Sequence, residues 1–164
     1  MAARKYRLPD SPAGAGGTHR RDARRGEYGG QTGSRRTGET VYGTRAAHIA
    51  ALADALDCGV CWDFGHAHIT GADSPGASLA AVGRRLALVH IHDNDGMTDS
   101  HALPGEGSID WDAAMAGLRA VGYTGCMDME LKSSDLPDDR QLRALHAAQA
   151  LAAARRLCRM CAGR

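Results

Sequence analysis

The chain has 164 residues, enough for one domain with a hydrophobic core. Its formal net charge of +1 sets it apart from strongly polyanionic or polycationic chains, and no apolar run approaches the length of a membrane span. The charge is uneven, however: ten basic against four acidic residues through Arg45 make that segment +6, and the remainder is −5.

Residues 1–43 read as a disordered basic leader, or as a stretch translated from an incorrect start or frame. Beyond Met1, their only aliphatic residues larger than Ala are Leu8 and Val41, and Gly16-Gly17 and Gly29-Gly30 break any regular element. Such a segment buries too little surface to offset its ordering entropy. A basic arm for nucleic acid is the functional alternative. Residues 44–164 are expected to fold.

From Thr44 the spacing of Ile49, Leu52, Ala53 and Leu56 predicts a helix with that stripe inward. Val60-Cys61-Trp62-Asp63-Phe64 then reads as a short buried strand ending on a carboxylate. A loop with Gly65, Gly71, Pro75 and Gly76 follows, and Leu79 to Leu86 is a weaker helix. Leu86 to His92 is a continuous apolar strand of the parallel-sheet type. Asp93 to Gly107 is a long polar loop, and Asp110 caps a helix from Trp111 to Val121 that Gly122 stops. Gly125 to Leu131 is a third strand. After a loop at Ser133 to Pro137, Asp138 or Asp139 begins a last helix with Leu142, Leu145, Ala148 and Leu151 inward.

Strands alternating with helices predict a parallel sheet covered by helices. Three strands leave open sheet edges unless something completes the sheet. Five cysteines occur, with Cys58-x-x-Cys61 and Cys158-x-x-Cys161 inviting a zinc or redox reading. Cys58, Cys61 and Cys126 sit in apolar strand patterns, where cysteine behaves as a small hydrophobe. The odd count and the lack of a secretory signal point to a reducing cytoplasm.

The chemistry concentrates at the strand ends. Asp63 ends the first strand with His66 just beyond it, and Glu130 ends the third. His90 and His92 share one face of the second strand, because side chains alternate with period two. Carboxylates and imidazoles converging in this way suit a divalent metal, with Mn, Mg, Co and Zn all acceptable. Only one of the two histidines is needed on the metal; the other orients a ligand or holds substrate. Asp99 and His101, in the loop, are further ligands or grip a polar substrate. Glu106 contacts substrate or serves as a dipole partner for the helix at Trp111.

Val60-Cys61-Trp62-Asp63-Phe64-Gly65-His66 is similar to the strand-six motif of the xylose-isomerase-like superfamily. Val89 to Asp95, Pro104 to Trp111, and Gly122 to Glu130 resemble its strand-seven and strand-eight signatures. The resemblance implies a partial (β/α)8 TIM barrel comprising about the last three βα units. A complete barrel runs to about 250 residues. The isomerase branch implies metal ligands at Asp63, His90 and Glu130, with His66 on substrate oxygens; the residue pattern itself offers His92 and Glu106 as further substrate contacts. Glu130 and a strand-five Glu would form the pair that moves a proton between adjacent carbons of a sugar or sugar phosphate through an enediolate. No strand-five Glu is apparent, since Glu27 and Glu39 lie in Gly/Arg-rich sequence.

The endonuclease IV branch, whose members act on abasic DNA, implies His66, Asp99 and His101 as additional ligands. The acidic folded part argues against nucleic acid. A third reading, from a different class, is a non-enzymatic fragment, or a half-barrel that needs a partner such as a second copy.

Overall fold

The computed structural model describes residues 45–71, 73–132 and 138–163, and the backbone of 37–39. Apart from 37–39, the leader expected over residues 1–43 lies outside these, as does the loop expected at 133–137. The elements are β1 (Thr37–Glu39), α1 (Ala46–Leu56), β2 (Gly59–Asp63), α2 (Phe64–Thr70), α3 (Pro75–Val82), a 3-10 turn at Gly83–Arg85, β3 (Leu86–Ile91), α4 (Trp111–Ala120), β4 (Met127–Met129) and α5 (Arg140–Cys161). The sheet order is β1-β2-β3-β4 and every pair is parallel. This is the strand–helix alternation of a partial TIM barrel.

Three features differ from the sequence expectation. The sheet has four strands instead of three. β1 lies ahead of Thr44 and pairs Glu39 with Cys61, so Glu39 does end a strand. Thr-Gly-Glu carries no apolar signal, and only pairing with β2 makes it a strand. The second difference is α2, where a loop was expected. Asp63 caps it by accepting the His66 N–H at 3.0 Å, and a single carboxylate thereby both closes β2 and opens a helix.

The third is helix facing. Ala46, Ile49, Ala50 and Ala53 form the buried stripe of α1, while Leu52 and Leu56 stand out. On α5, Leu157 alone is fully buried, and Leu142, Leu145 and Leu151 are exposed. Among the described residues, the N-terminal half of α5 is mostly exposed.

Alternation along the strands separates two faces. Val60, Trp62, Val89 and Ile91 join Phe64, Leu79, Val82, Met115, Leu118 and Leu157 in one core beneath the helices. Burying each large side chain contributes roughly 1.5–3 kcal/mol. The intervening residues Cys61, Asp63 and His90 are also buried but fall on the other face. The outer face of the sheet is therefore packing, and the inner face carries polar chemistry.

Candidate metal centre

Asp63 is fully buried and lies at the middle of the cluster. Its Oδ1 accepts the His66 N–H and lies 3.0 Å from His92 Nε2. Its Oδ2 lies 3.1 Å from His66 Nδ1 and 3.8 Å from His90 Nδ1. Burial opposes the charge on Asp63, but His90, His92 and the backbone amide hold its carboxyl far below the usual carboxylate range. The pairing with Asp63, assisted by Cys61 and Glu130 and opposed by burial, pushes His90 up to about 11. For His92, burial works against the charged form, and Asp63, Asp99 and Glu130 outweigh it to raise the ring.

Among the described residues, two groups of metal-type side chains result, each with candidate ligand atoms within 4.8 Å of one another. The first is Asp63, His90 and Glu130, from the ends of β2, β3 and β4. His90 Nδ1 is 3.4 Å from Glu130 Oε1. Glu130 N donates to Ile91 O at 3.1 Å, which ties the carboxylate-bearing residue to the end of β3. Buried Oε2 of Glu130 has no hydrogen-bond partner. A carboxylate oxygen in that state fits a cation, since a buried lone acceptor otherwise costs about 1–3 kcal/mol.

The second group is His66, His92, Asp99 and His101. Asp99 reaches His101 Nε2 at 3.2 Å, His66 Nε2 at 3.7 Å and His92 Nε2 at 3.9 Å. The loop carrying Asp99 and His101 is pinned at both sides. Asp93 and Ala102 exchange backbone hydrogen bonds at 2.9 Å, and His101 Nδ1 contacts Glu130 O at 2.9 Å. His101 has φ of 48°, a left-handed backbone that a histidine rarely adopts and that aims its ring into the cluster.

Each site residue thus has a clear position. Asp63, His66, His90, His92, Asp99, His101 and Glu130 come together. Glu106 does not: it is exposed, belongs to neither group, and its Oε2 accepts the Leu103 N–H at 3.2 Å within its own turn. His92 is sealed from solvent and packs so closely on Gly65 that a Cβ there would lie 1.9 Å from His92 Cε1. None of the five cysteines joins a metal-type group among the described residues.

Sequence reasoning set Asp93 in the polar run of the metal cage, but it belongs to neither ligand group, and the structural roles of Asp93 and Asn94 were missed. The buried Asp93 carboxylate accepts from Asn94 N, Gly105 N, Ile109 N and Trp111 Nε1 at 2.7–3.2 Å, which shapes the whole loop. Gly107 belongs to this cradle, because a Cβ there would sit 2.3 Å from Asn94 O. Asn94 Nδ2 donates to Gly65 O at 2.9 Å, joining the loop to α2. The available signal was the acid directly following a buried strand.

A four-stranded parallel arc with acids and histidines at its strand ends defines a partial barrel with a metal-type centre. The family model for the xylose isomerase-like TIM barrel matches residues 35–158, and the chain belongs to that family. An uncharacterized protein of Sinorhizobium fredii is 40% identical over 74 residues, covering 44% of this chain and 23% of that protein. Fructoselysine 3-epimerase of Escherichia coli O157:H7 is 36% identical over 70 residues, covering 43% and 24%. The fold is similar to D-psicose 3-epimerase with D-tagatose from Clostridium cellulolyticum H10, at a TM-score of 0.64 and 18% identity, covering 76% of this chain and 48% of that one. The matches therefore span about a quarter of those curated relatives and about half of the solved barrel. No helix among the described residues is long and apolar enough to cross a membrane.

Proposed function

We propose that the chain supplies the C-terminal half-site of a metal-dependent sugar or sugar-phosphate isomerase or epimerase. The observation that carries this reading is the convergence of Asp63, His90 and Glu130 at three adjacent parallel strand ends. The identity to a fructoselysine 3-epimerase, over the matched stretch, supports the same chemistry.

Asp63, His90 and Glu130 would hold the divalent ion, which when bound supplies Lewis-acid stabilisation of charge developing on substrate oxygens. Glu130 has one carboxylate oxygen beside His90 and one without a partner, and serves as one half of the proton-transfer pair. Glu39, at the end of β1 beside β2, is the candidate for the other half. Such a pair takes a proton from one carbon and returns one to its neighbour, through an enediolate. His66, oriented by Asp63, positions a substrate hydroxyl or carbonyl oxygen. The substrate is a small sugar, and the setting is the cytoplasm.

The test is deuterium incorporation from D2O at the carbon next to the carbonyl of ketoses and ketose phosphates, with Mn, Mg, Co or Zn added. Metal-dependent exchange that disappears in Glu130→Gln supports the reading; tight metal binding without exchange on any such sugar counts against it.

The second group favours one other reading, a phosphodiesterase acting on abasic DNA, because His66, His92, Asp99 and His101 can hold a further ion. Two or more ions per chain together with cleavage of an abasic-site duplex would select it.

A further inference from the structure

A cavity of about 410 Å³ lies between α2, α3 and the loop that leads into α4. That volume falls within the roughly 300–1,000 Å³ usual for small-molecule sites. Trp62 of β2 and Phe64 of α2 give it an apolar wall, and both are buried. No residue of either metal-type group lines it. Trp62 and Asp63 alternate along β2, which puts this wall and the metal-type side chains on opposite faces of the strand.

Two polar groups on the wall are unmatched. Ser78 lines the cavity from α3 at 4% exposure, and its hydroxyl makes no hydrogen bond among the described residues. The indole N–H of Trp62 is buried and also has no partner. Folded proteins seldom leave buried donors in that state, and both suit a ligand with oxygen acceptors. At the exposed rim, His68 Nε2 contacts the Ser108 hydroxyl at 2.8 Å, which already joins α2 to the loop. Ser74 and Asp110, the caps of α3 and α4, complete the rim.

Charge selects among ligands. Among the described residues no lysine or arginine lines the cavity, whereas Asp73 and Asp110 do, so an anion is repelled and finds no cationic partner. The amino ends of α3 and α4 meet the same rim and disfavour a cation. A neutral molecule satisfies both conditions. Its hydroxyls match the serines and Asp73, and its C–H face packs on the aromatic wall.

We propose that this cavity binds a small neutral polyhydroxylated molecule of monosaccharide size, at a site separate from the metal centre. The Ser78 hydroxyl bonds one of its oxygens, Trp62 offers a second donor, and Asp73 accepts from a hydroxyl at the mouth. The proposal rests on the cavity alone and stands or falls apart from the chemistry at the metal centre.

The test is nitrogen-15 NMR of the full chain in chelator, which removes any metal-held sugar, titrated with D-glucose and with D-fructose. At least one sugar should shift the Trp62 indole resonance saturably, together with amides of residues 73–78 and 108–110, with a Kd of roughly 10 mM or below. Trp62→Phe assigns the indole signal. Ser78→Ala should raise the Kd by about tenfold with the helical circular dichroism unchanged. Asp73→Ala, at an exposed position, should weaken binding as well. No saturable shift with either sugar would mean that the unmatched donors hold water alone, and it overturns the proposal. So do shifts confined to the strand ends at Asp63, His90 and Glu130, a Kd indifferent to both Ser78→Ala and Asp73→Ala, or a stronger response to inorganic phosphate or methylammonium.

Discussion

The imidazoles of His92 and His101 stack face to face, with centroids 3.8 Å apart and planes within 5°. One ring comes from the end of β3 and is sealed from solvent; the other comes from the loop and has a left-handed backbone. Stacking holds the loop histidine against the strand histidine and brings the second group together around Asp99. His101→Ala removes both the stack and a candidate ligand. If both groups hold metal, the ion content measured on purified protein falls from about two per chain to about one, while Asp63, His90 and Glu130 retain theirs. Unchanged metal content would mean that the second group is a hydrogen-bonded cluster alone.

Metal binding should depend steeply on pH. In the metal-free protein, Asp63 beside His90 keeps this imidazole protonated through neutrality, up to about 11. An ion that uses His90 must displace that proton, so affinity rises as pH rises, by about tenfold per unit for one proton released. Calorimetry in buffers of different ionisation enthalpy reads the proton directly. Metal-free stability runs in the opposite direction. The raised His90 contributes fully below its unfolded value of 6.5, and that contribution declines as pH climbs toward about 11. The lowered Asp63 contributes fully above 3.8 and is lost as pH falls through its depressed folded value. Thermal midpoints in chelator should therefore peak between 3.8 and 6.5, and His90→Gln should flatten the decline above that range. Parallel curves for the two proteins from pH 7 to 10 would remove His90 from the account.

Much of this site was legible from the sequence because strand periodicity is strict. Asp63, His90 and Glu130 each follow a short apolar run, and such a run ending on a charged residue has few physical explanations. Asp110 before Trp111 was equally plain, and it caps α4 by accepting the Ala113 N–H. β1 was not legible, since Thr-Gly-Glu becomes a strand only by pairing with β2. Helix α2 was hidden because its cap, Asp63, was already assigned to a strand end. The inward stripe on α5 failed for another reason: periodicity reports an apolar face, and nothing among the described residues covers Leu142, Leu145 and Leu151.

Gly65 sets how closely α2 approaches β3. A Cβ at this position would meet three atoms of the His92 ring at 1.9–2.5 Å. Neither backbone nor buried ring has room to move without disturbing Asp63. Gly65→Ala should destabilise the fold by about 1–3 kcal/mol, the usual cost of overpacking. It should also weaken metal binding, because His92 and His66 share Asp63. Denaturant midpoints together with metal titration check both effects; a variant normal in each would show that the ring relaxes freely.

Asp93 governs the loop without contacting either ligand group directly. Its carboxylate takes four N–H donors, including the indole of Trp111 at 2.8 Å. Trp111→Phe keeps the apolar packing and removes one donor to a buried charge, at a cost of roughly 1.5–3 kcal/mol. Asp93→Ala orphans all the donors and should exceed that cost. The backbone pair between Asp93 and Ala102 survives the substitution, but losing the carboxylate's hold on Gly105, Ile109 and Trp111 should loosen the loop around that pair and lower amide-exchange protection beside His101. Unaltered exchange at residues 99–103 would locate the loop's restraint elsewhere.

Glu130 and Glu39 occupy strand ends on opposite sides of β2 and β3, and the proposed chemistry assigns them paired roles. Replacing either by Gln retains the size and removes the base. Each variant should lose solvent-proton exchange into a ketose by at least about a hundredfold, the usual contribution of a positioned base. Metal content separates the two effects. If a variant keeps its metal and loses exchange, the carboxylate acts on the proton; if both are lost together, the residue serves first as a ligand. Retained exchange in Glu39→Gln would exclude Glu39 from the pair and leave β1 with a structural role at the edge of the sheet.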